Sequence, residues 1–197
     1  MGGRGYKNHE VPISPRPMIA DLNIIATCDR IRESEACSEL WMLLRAVGDE
    51  SPAVDRTRIR GLISARTGLD PLEAIRGLRE ELRRDPEGIK ALLRVIPIQA
   101  VVESDTVTIK EASHRMAARI GEGESYRITV EKRRTGLRSR ELIEVVAEGL
   151  PQRVDLENPD WIVLIEVMGN ATGVSVIPPD GILNVQKERA LLTAKPE

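Results

Sequence analysis

Hydrophobic positions recur along this chain in two rhythms, a period of two and a period near 3.6, and the switches between them mark the elements. Leu22–Cys28 is a short apolar run of strand length. Ser34–Val47 then places Ala36, Leu40, Leu43, Leu44 and Val47 at helical spacing, and Gly48 stops it. Asp49–Pro52 reads as a turn, and Val54–Thr67 as one strand or a bent pair. Asp70-Pro71 opens a helix whose buried stripe is Leu72, Ile75, Leu78 and Leu82, with Pro71 at the first helical position, where its missing N–H costs nothing. Asp85-Pro86 ends that helix, and Leu92–Val102 is a buried strand in which Pro97 implies an edge position or a bulge. The first half therefore reads β-α-β-α-β, with antiparallel strands and the helices on one face, in the ferredoxin-like manner.

The second half repeats the alternation. Asp105–Ile120 is helical, with Ala112, Met116, Ala117 and Ile120 inward, and Tyr126–Arg133 alternates as a half-buried strand. Thr135-Gly136 is a turn, Ser139 is placed to cap the next helix, and Leu142, Ile143, Val146 and Leu150 form its stripe. Trp161–Met168 is a continuously apolar central strand, Gly169-Asn170 sits at a hairpin connection, and Thr172–Ile177 returns as its partner. The expected class is α+β, an α/β sandwich. Its expected divisions are a flexible arm over 1–19, a ferredoxin-like unit over 20–88, a second unit with a mixed sheet over 89–180 and a loose tail over 181–197.

Composition removes several classes. Hydrophobic residues at 41% and charged residues at 30% describe a globular chain. No apolar run approaches the ~18 residues of a membrane span, and the start lacks the apolar core of a secretory signal. Gly2 is followed by Tyr6 where a myristoylation motif has Ser or Thr. Two cysteines, Cys28 and Cys37, cannot staple a chain of this size, so a cytoplasmic location is expected. The only aromatics are Tyr6, Trp41, Tyr126 and Trp161, too few for a stacking platform that reads single-stranded RNA.

Catalytic constellations are missing. His9 lies in the arm, and His114, off the apolar stripe of its helix, reads as a surface residue rather than a general base. The cysteines lack CxxC spacing, and Cys28 reads as a small core hydrophobe. Gly121-Glu122-Gly123-Glu124 precedes a strand, not a helix, and so is no dinucleotide fingerprint. The expectation is no catalytic, metal or cofactor site.

The anomaly is electrostatic. The net charge is −2, yet 23 of the 29 cations are Arg, a planar fork suited to phosphate or simply the product of a GC-rich genome. Between Arg127 and Arg140 six cations (Arg127, Lys132, Arg133, Arg134, Arg138, Arg140) face one acid, Glu131. They fall at a strand exit, in a turn and at a helix start, whose free amides seat anions. The stretch is either a phosphate clamp, with Ser139 donating or capping, or a charged surface loop. Arg94 interrupts an apolar strand, so it either pairs with an acid or faces with the basic turn. Arg56, Arg58 and Arg60 alternate on one strand face and either extend the same track or answer nearby acids.

Three stretches, LLRVIPIQAVV, SYRITVEKRRTGLRSRELIEVVAEGL and RVDLENPDWIVLIEVMGNATGVSVI, resemble a THUMP domain over roughly residues 88–180. They are similar to the standalone THUMP proteins that assist tRNA acetylation. The resemblance implies a cytoplasmic, non-catalytic RNA-binding subunit that grips the acceptor stem and 3′ end of tRNA. It would present the tRNA to a separate acetyltransferase forming 4-acetylcytidine, with no fused modifying domain and no membrane partner. The alternatives are a part of a thiolation or methylation complex, or an interaction scaffold without RNA. Arg94, Lys132 and Arg133 match family positions, whereas Arg134, Arg138, Ser139 and Arg140 enter as RNA contacts on charge alone. Lys132→Ala with Arg133→Ala is expected to weaken tRNA binding without much change in thermal stability.

Overall fold

The computed structural model describes residues 21–194. The arm expected over 1–19 lies outside the described residues. The chain runs β1 (Ile24–Cys28), α1 (Glu33–Ala46), β2 (Ala53–Arg56), β3 (Leu62–Arg66), α2 (Pro71–Arg84), β4 (Leu92–Pro97) and β5 (Ala100–Glu103). It continues through α3 (Thr106–Ala117), β6 (Ser125–Arg133), α4 (Ser139–Ala147), β7 (Arg153–Val154), β8 (Trp161–Met168), β9 (Ala171–Ile177), β10 (Leu183–Asn184) and α5 (Val185–Thr193).

Two sheets share the strands. The first has the order β10-β4-β1-β3-β2, antiparallel throughout, and its β4-β1-β3-β2 part with α1 and α2 is the expected ferredoxin-like βαββαβ arrangement. Val54–Thr67 resolves into the bent pair, β2 and β3, joined through Gly61 at a φ of +78°, where a side chain would be strained. Asp70 caps α2 by accepting from the amides of Leu72 and Glu73. The second sheet has the order β5-β9-β8-β6-β7, with β6 parallel to β8 and β8–β9 an antiparallel hairpin. Gly169 takes the first turn position of that hairpin at a φ of +72°.

Strand alternation builds three cores. Ile24 and Ala26 of β1 face Leu40 and Leu44 of α1 and Ile75, Leu78 and Leu82 of α2. Ile25, Leu62 and Ile96, on the opposite face, meet Ile162, Leu164 and Ile177, so the two sheets pack directly on each other. Val163, Ile165 and Val167 turn outward to join Tyr126, Ile109, Leu142 and Val146 beneath α3 and α4. The layers run helix, sheet, sheet, helix, an α+β sandwich.

Two expectations are corrected. The apolar run Leu92–Val102 is not one strand: it leaves the first sheet at Pro97 and enters the second at Ala100. Gln99 makes the crossing, donating its amide to the Val174 carbonyl at 3.2 Å while its side-chain oxygen accepts from the Val176 amide at 2.8 Å. Gly173 permits it, because a Cβ there would come within 2.7 Å of Ile98 Cδ1. The loose tail is also replaced. Leu183–Asn184 adds a strand beside β4, and α5 is held by Arg79, which donates to Glu188 at 2.7 Å and to the Asp180 carbonyl at 2.6 Å.

A basic turn and its ion pairs as the candidate nucleic-acid interface

The basic stretch joins β6 to α4. Arg134 turns the chain at a φ of +53°, a left-handed conformation rare for a residue with a side chain. Thr135 Oγ1 then accepts from the Leu137 amide at 3.2 Å, and Lys132 Nζ donates to the Leu137 carbonyl at 2.9 Å. Ser139 does not cap. It is the first residue of α4, the N-cap is Arg138, and among the described residues no side chain caps the helix start. The first-turn amides are left available to an anion, with the partial positive charge of the helix end behind them.

Strand alternation separates the predicted cations. Lys132 points with Ile128 and Val130 toward the helix layer, and Arg133 with Glu131 toward the other sheet. Arg133 Nη1 donates to Glu166 Oε2 at 2.7 Å, and Glu166 is fully buried. Burial pushes the Glu166 carboxyl above its ordinary range, against the opposing charge and hydrogen bond of Arg133. Its second oxygen, Oε1, has no hydrogen-bond partner among the described residues. Arg94 on β4 lies 3.9 Å from Glu131 on β6, a contact that crosses from one sheet to the other. Arg94 thus takes the pairing alternative, and Arg133 has a structural role that the sequence did not show. The expectation that a Lys132→Ala and Arg133→Ala pair leaves stability unchanged is corrected for this reason: it would strand the Glu166 carboxylate.

The remaining cations are open to solvent. Lys132, Arg134, Arg138 and Arg140 are exposed and Ser139 is half-buried, with Arg140 joined to Glu144 at 2.7 Å in a solvated pair of little energetic weight. Arg134 also lines a cleft together with Arg58 of the β2–β3 turn and Arg115 of α3. Arg115 was not singled out in the sequence, since on a helix it reads as an ordinary solvated charge. His114, expected at the surface, is half-buried, its Nε2 lying 2.9 Å from the Val146 carbonyl between α3 and α4. Burial, with the charges of Glu33 and Asp29, pushes the Cys28 thiol up to about 11, which leaves it protonated at neutral pH. Among the described residues no cluster of His, Cys, Asp and Glu could hold a metal, and no helix is long and apolar enough to cross a membrane.

The THUMP domain family matches residues 103–177, the segment from the end of β5 through β9. The chain contains a THUMP domain. No curated protein matches the sequence. Among solved structures, PH1313 from Pyrococcus horikoshii is 18% identical, with a TM-score of 0.58 over 79% of this chain and 54% of its own. TrmN from Thermus thermophilus is 20% identical, with a TM-score of 0.52 over 78% of this chain and 44% of its own. A 4-thiouridine synthetase, solved as an RNA complex with bound ATP, is 14% identical, with a TM-score of 0.52 over 83% of this chain and 42% of its own. At these identities the likeness is one of fold, and it extends beyond the THUMP segment into the ferredoxin-like unit. The chain spans about half the length of these proteins.

Proposed function

We propose that this protein binds tRNA through its THUMP domain and, without catalysing the chemistry itself, presents it to a separate acetyltransferase that forms 4-acetylcytidine. The observation that supports RNA binding is the β6–α4 turn within the matched segment, where exposed cations meet an uncapped helix start. Such a surface suits recognition of RNA by phosphate and shape. In this reading Lys132, Arg134, Arg138, Ser139 and Arg140 contact phosphates of the acceptor stem and 3′ end. Arg94 and Arg133 set the position of the turn through Glu131 and Glu166. The ferredoxin-like unit, with β10 and α5, is the frame on which the THUMP domain is mounted. The acetylation half and the cytoplasmic location both rest on the sequence resemblance alone.

A second reading, a portion of a thiolating or methylating enzyme, is favoured by the fold shared with TrmN and the 4-thiouridine synthetase, each about twice as long. Sequencing RNA that co-purifies with the protein and adding candidate acetyltransferases with acetyl-CoA tests both. The adaptor reading expects enriched tRNA and acetylation only when protein and enzyme are combined. Acetylation by the protein alone, or by the enzyme alone at the same rate, contradicts it.

A further inference from the structure

The first sheet ends at β2, and among the described residues no strand pairs with its outer edge. The Thr57 amide donates to the Leu62 carbonyl at 3.2 Å and the Ser64 hydroxyl to the Asp55 carbonyl at 3.3 Å, so bonding toward β3 falls on the odd-numbered residues. The N–H and C=O groups of Val54 and Arg56 therefore point to the open side, where the Arg56 amide meets only the neighbouring Asp55 carboxylate at 2.7 Å. Beside this edge, on the helix side of the sheet, Cys37, Ser38, Trp41 and Met42 of α1 and Val54 of β2 line a groove of about 440 Å³. Trp41, one of two Trp in the chain, is 46% exposed and Met42 is 59% exposed. With Ser38 and Arg45 they form an exposed stripe at helical spacing, the Arg45 guanidinium standing 5.9 Å from the centre of the Trp41 ring. Trp, Met and Arg are the residues enriched where proteins meet, and an unpaired edge is a template for a further strand.

We propose that a second copy of this chain occupies the groove, through antiparallel pairing of the two β2 strands about a two-fold axis. Charge and side-chain direction select the register. Val54 opposite the partner's Val54 exchanges both outward hydrogen bonds, and each Arg56 amide then donates to the carbonyl of the partner's Pro52. Asp55 lies opposite the partner's Ala53, so no charge in the pair faces its like. A shift of two residues one way sets Asp55 against the partner's Asp55, which repels it. A shift of two the other way puts Val54 opposite the partner's Pro52, which has no N–H to give. A shift of one turns the two α1 helices to opposite faces and leaves Trp41 and Met42 uncovered. In the selected register both α1 helices lie on one face, antiparallel, and Trp41 and Met42 close over their counterparts.

The test is analytical ultracentrifugation of the full chain up to about 100 µM, with and without Met42→Glu. The wild type is expected to sediment as a dimer at the upper end of that range. Met42→Glu, at an exposed position, is expected to keep its far-UV circular dichroism while self-association weakens roughly tenfold or more. Oxidative cross-linking reads the register. Positions 53 and 55 face each other across the pair at a non-hydrogen-bonded site, about 4.5 Å between Cα atoms, within the reach of a disulfide. Ala53→Cys/Asp55→Cys is therefore expected to form covalent dimers beyond the wild-type background, and Asp55→Cys alone is not. A chain that stays monomeric up to about 100 µM overturns the proposal and leaves the groove to another occupant, residues 1–20 or a different protein. A Met42→Glu dimer as strong as the wild type's, or cross-linking by Asp55→Cys alone to the same extent as by the pair, overturns it as well.

Discussion

Removing the Arg133 guanidinium should unbalance the core between the sheets. Glu166 is 0% exposed; among the described residues its only hydrogen-bond donor is Arg133 at 2.7 Å, and its other oxygen is unpartnered. Breaking a buried ion pair by deleting one partner costs about 3–5 kcal/mol. The Arg133 side chain keeps 24% of its exposure, so water offsets part of this, and about 2–3 kcal/mol is expected for Arg133→Met. For a chain of this size that is roughly a 5–10 °C fall in melting temperature. The sign of the pH dependence follows from Glu166, whose carboxyl is raised by burial in the folded state. A raised carboxyl contributes stability that is full below its unfolded value, near 4.3, and lost as pH rises through the folded value. Without Arg133 that value rises further, so the deficit of Arg133→Met relative to wild type should shrink from pH 8 toward pH 5. The double variant Arg133→Met/Glu166→Leu should recover most of the loss, because an apolar pair of similar volume needs no desolvated charge. Urea unfolding of the three proteins at several pH values decides it. A deficit that is constant with pH, or a double variant as unstable as the single, refutes the account of this pair.

Other outcomes follow from the same geometry. Arg134→Gly should stabilise the fold by about 1 kcal/mol in thermal unfolding, by relieving a left-handed residue, while weakening RNA binding. Arg79→Met should release α5, costing of order 3 kcal/mol and exposing the amides of 185–193 to hydrogen exchange, because Arg79 bonds Glu188 and the carbonyls of Asp180 and Ile182. Burial raises the Asp49 carboxyl, but the Thr67 hydroxyl, the Ser51 and Gly68 amides and Arg45 outweigh it and hold it below the ordinary value. Its contribution is therefore present above the unfolded value, near 3.9, and lost as pH falls through the folded one. Asp49→Asn should be less stable than wild type at pH 7 and nearly equal to it at pH 2 in denaturant titrations.

Most helices and strands were legible because their apolar positions keep one period from end to end, as in α2 and β6. What failed has physical causes. The run Leu92–Val102 is apolar throughout because it is buried twice, once in each sheet, and periodicity cannot mark where a strand changes sheets. Pro97 was the local signal. The segment after Pro179 lacks a clean stripe, since Leu191 and Leu192 of α5 remain exposed and its docking depends on Arg79, far away in sequence. At the candidate site the cation cluster was visible but its division was not. Alternation sends Lys132 and Arg133 to opposite faces of the sheet, and the acid that claims Arg133 lies 33 residues on, within Trp161–Met168. Glu166 inside that apolar strand was a readable sign, since a lone carboxylate in a central strand requires a cation.

The central claim is that the β6–α4 turn holds tRNA phosphates. Its most direct test is a fluorescence-anisotropy titration of tRNA between 50 and 200 mM salt, comparing wild type with Lys132→Ala/Arg134→Gly/Arg138→Ala, which leaves the Arg133–Glu166 pair intact. Each lost phosphate contact lowers the slope of log affinity against log salt by about 0.7–0.9. The account predicts weaker binding and a slope shallower by about 2 or more. A variant that binds tRNA with unchanged affinity and unchanged slope contradicts it.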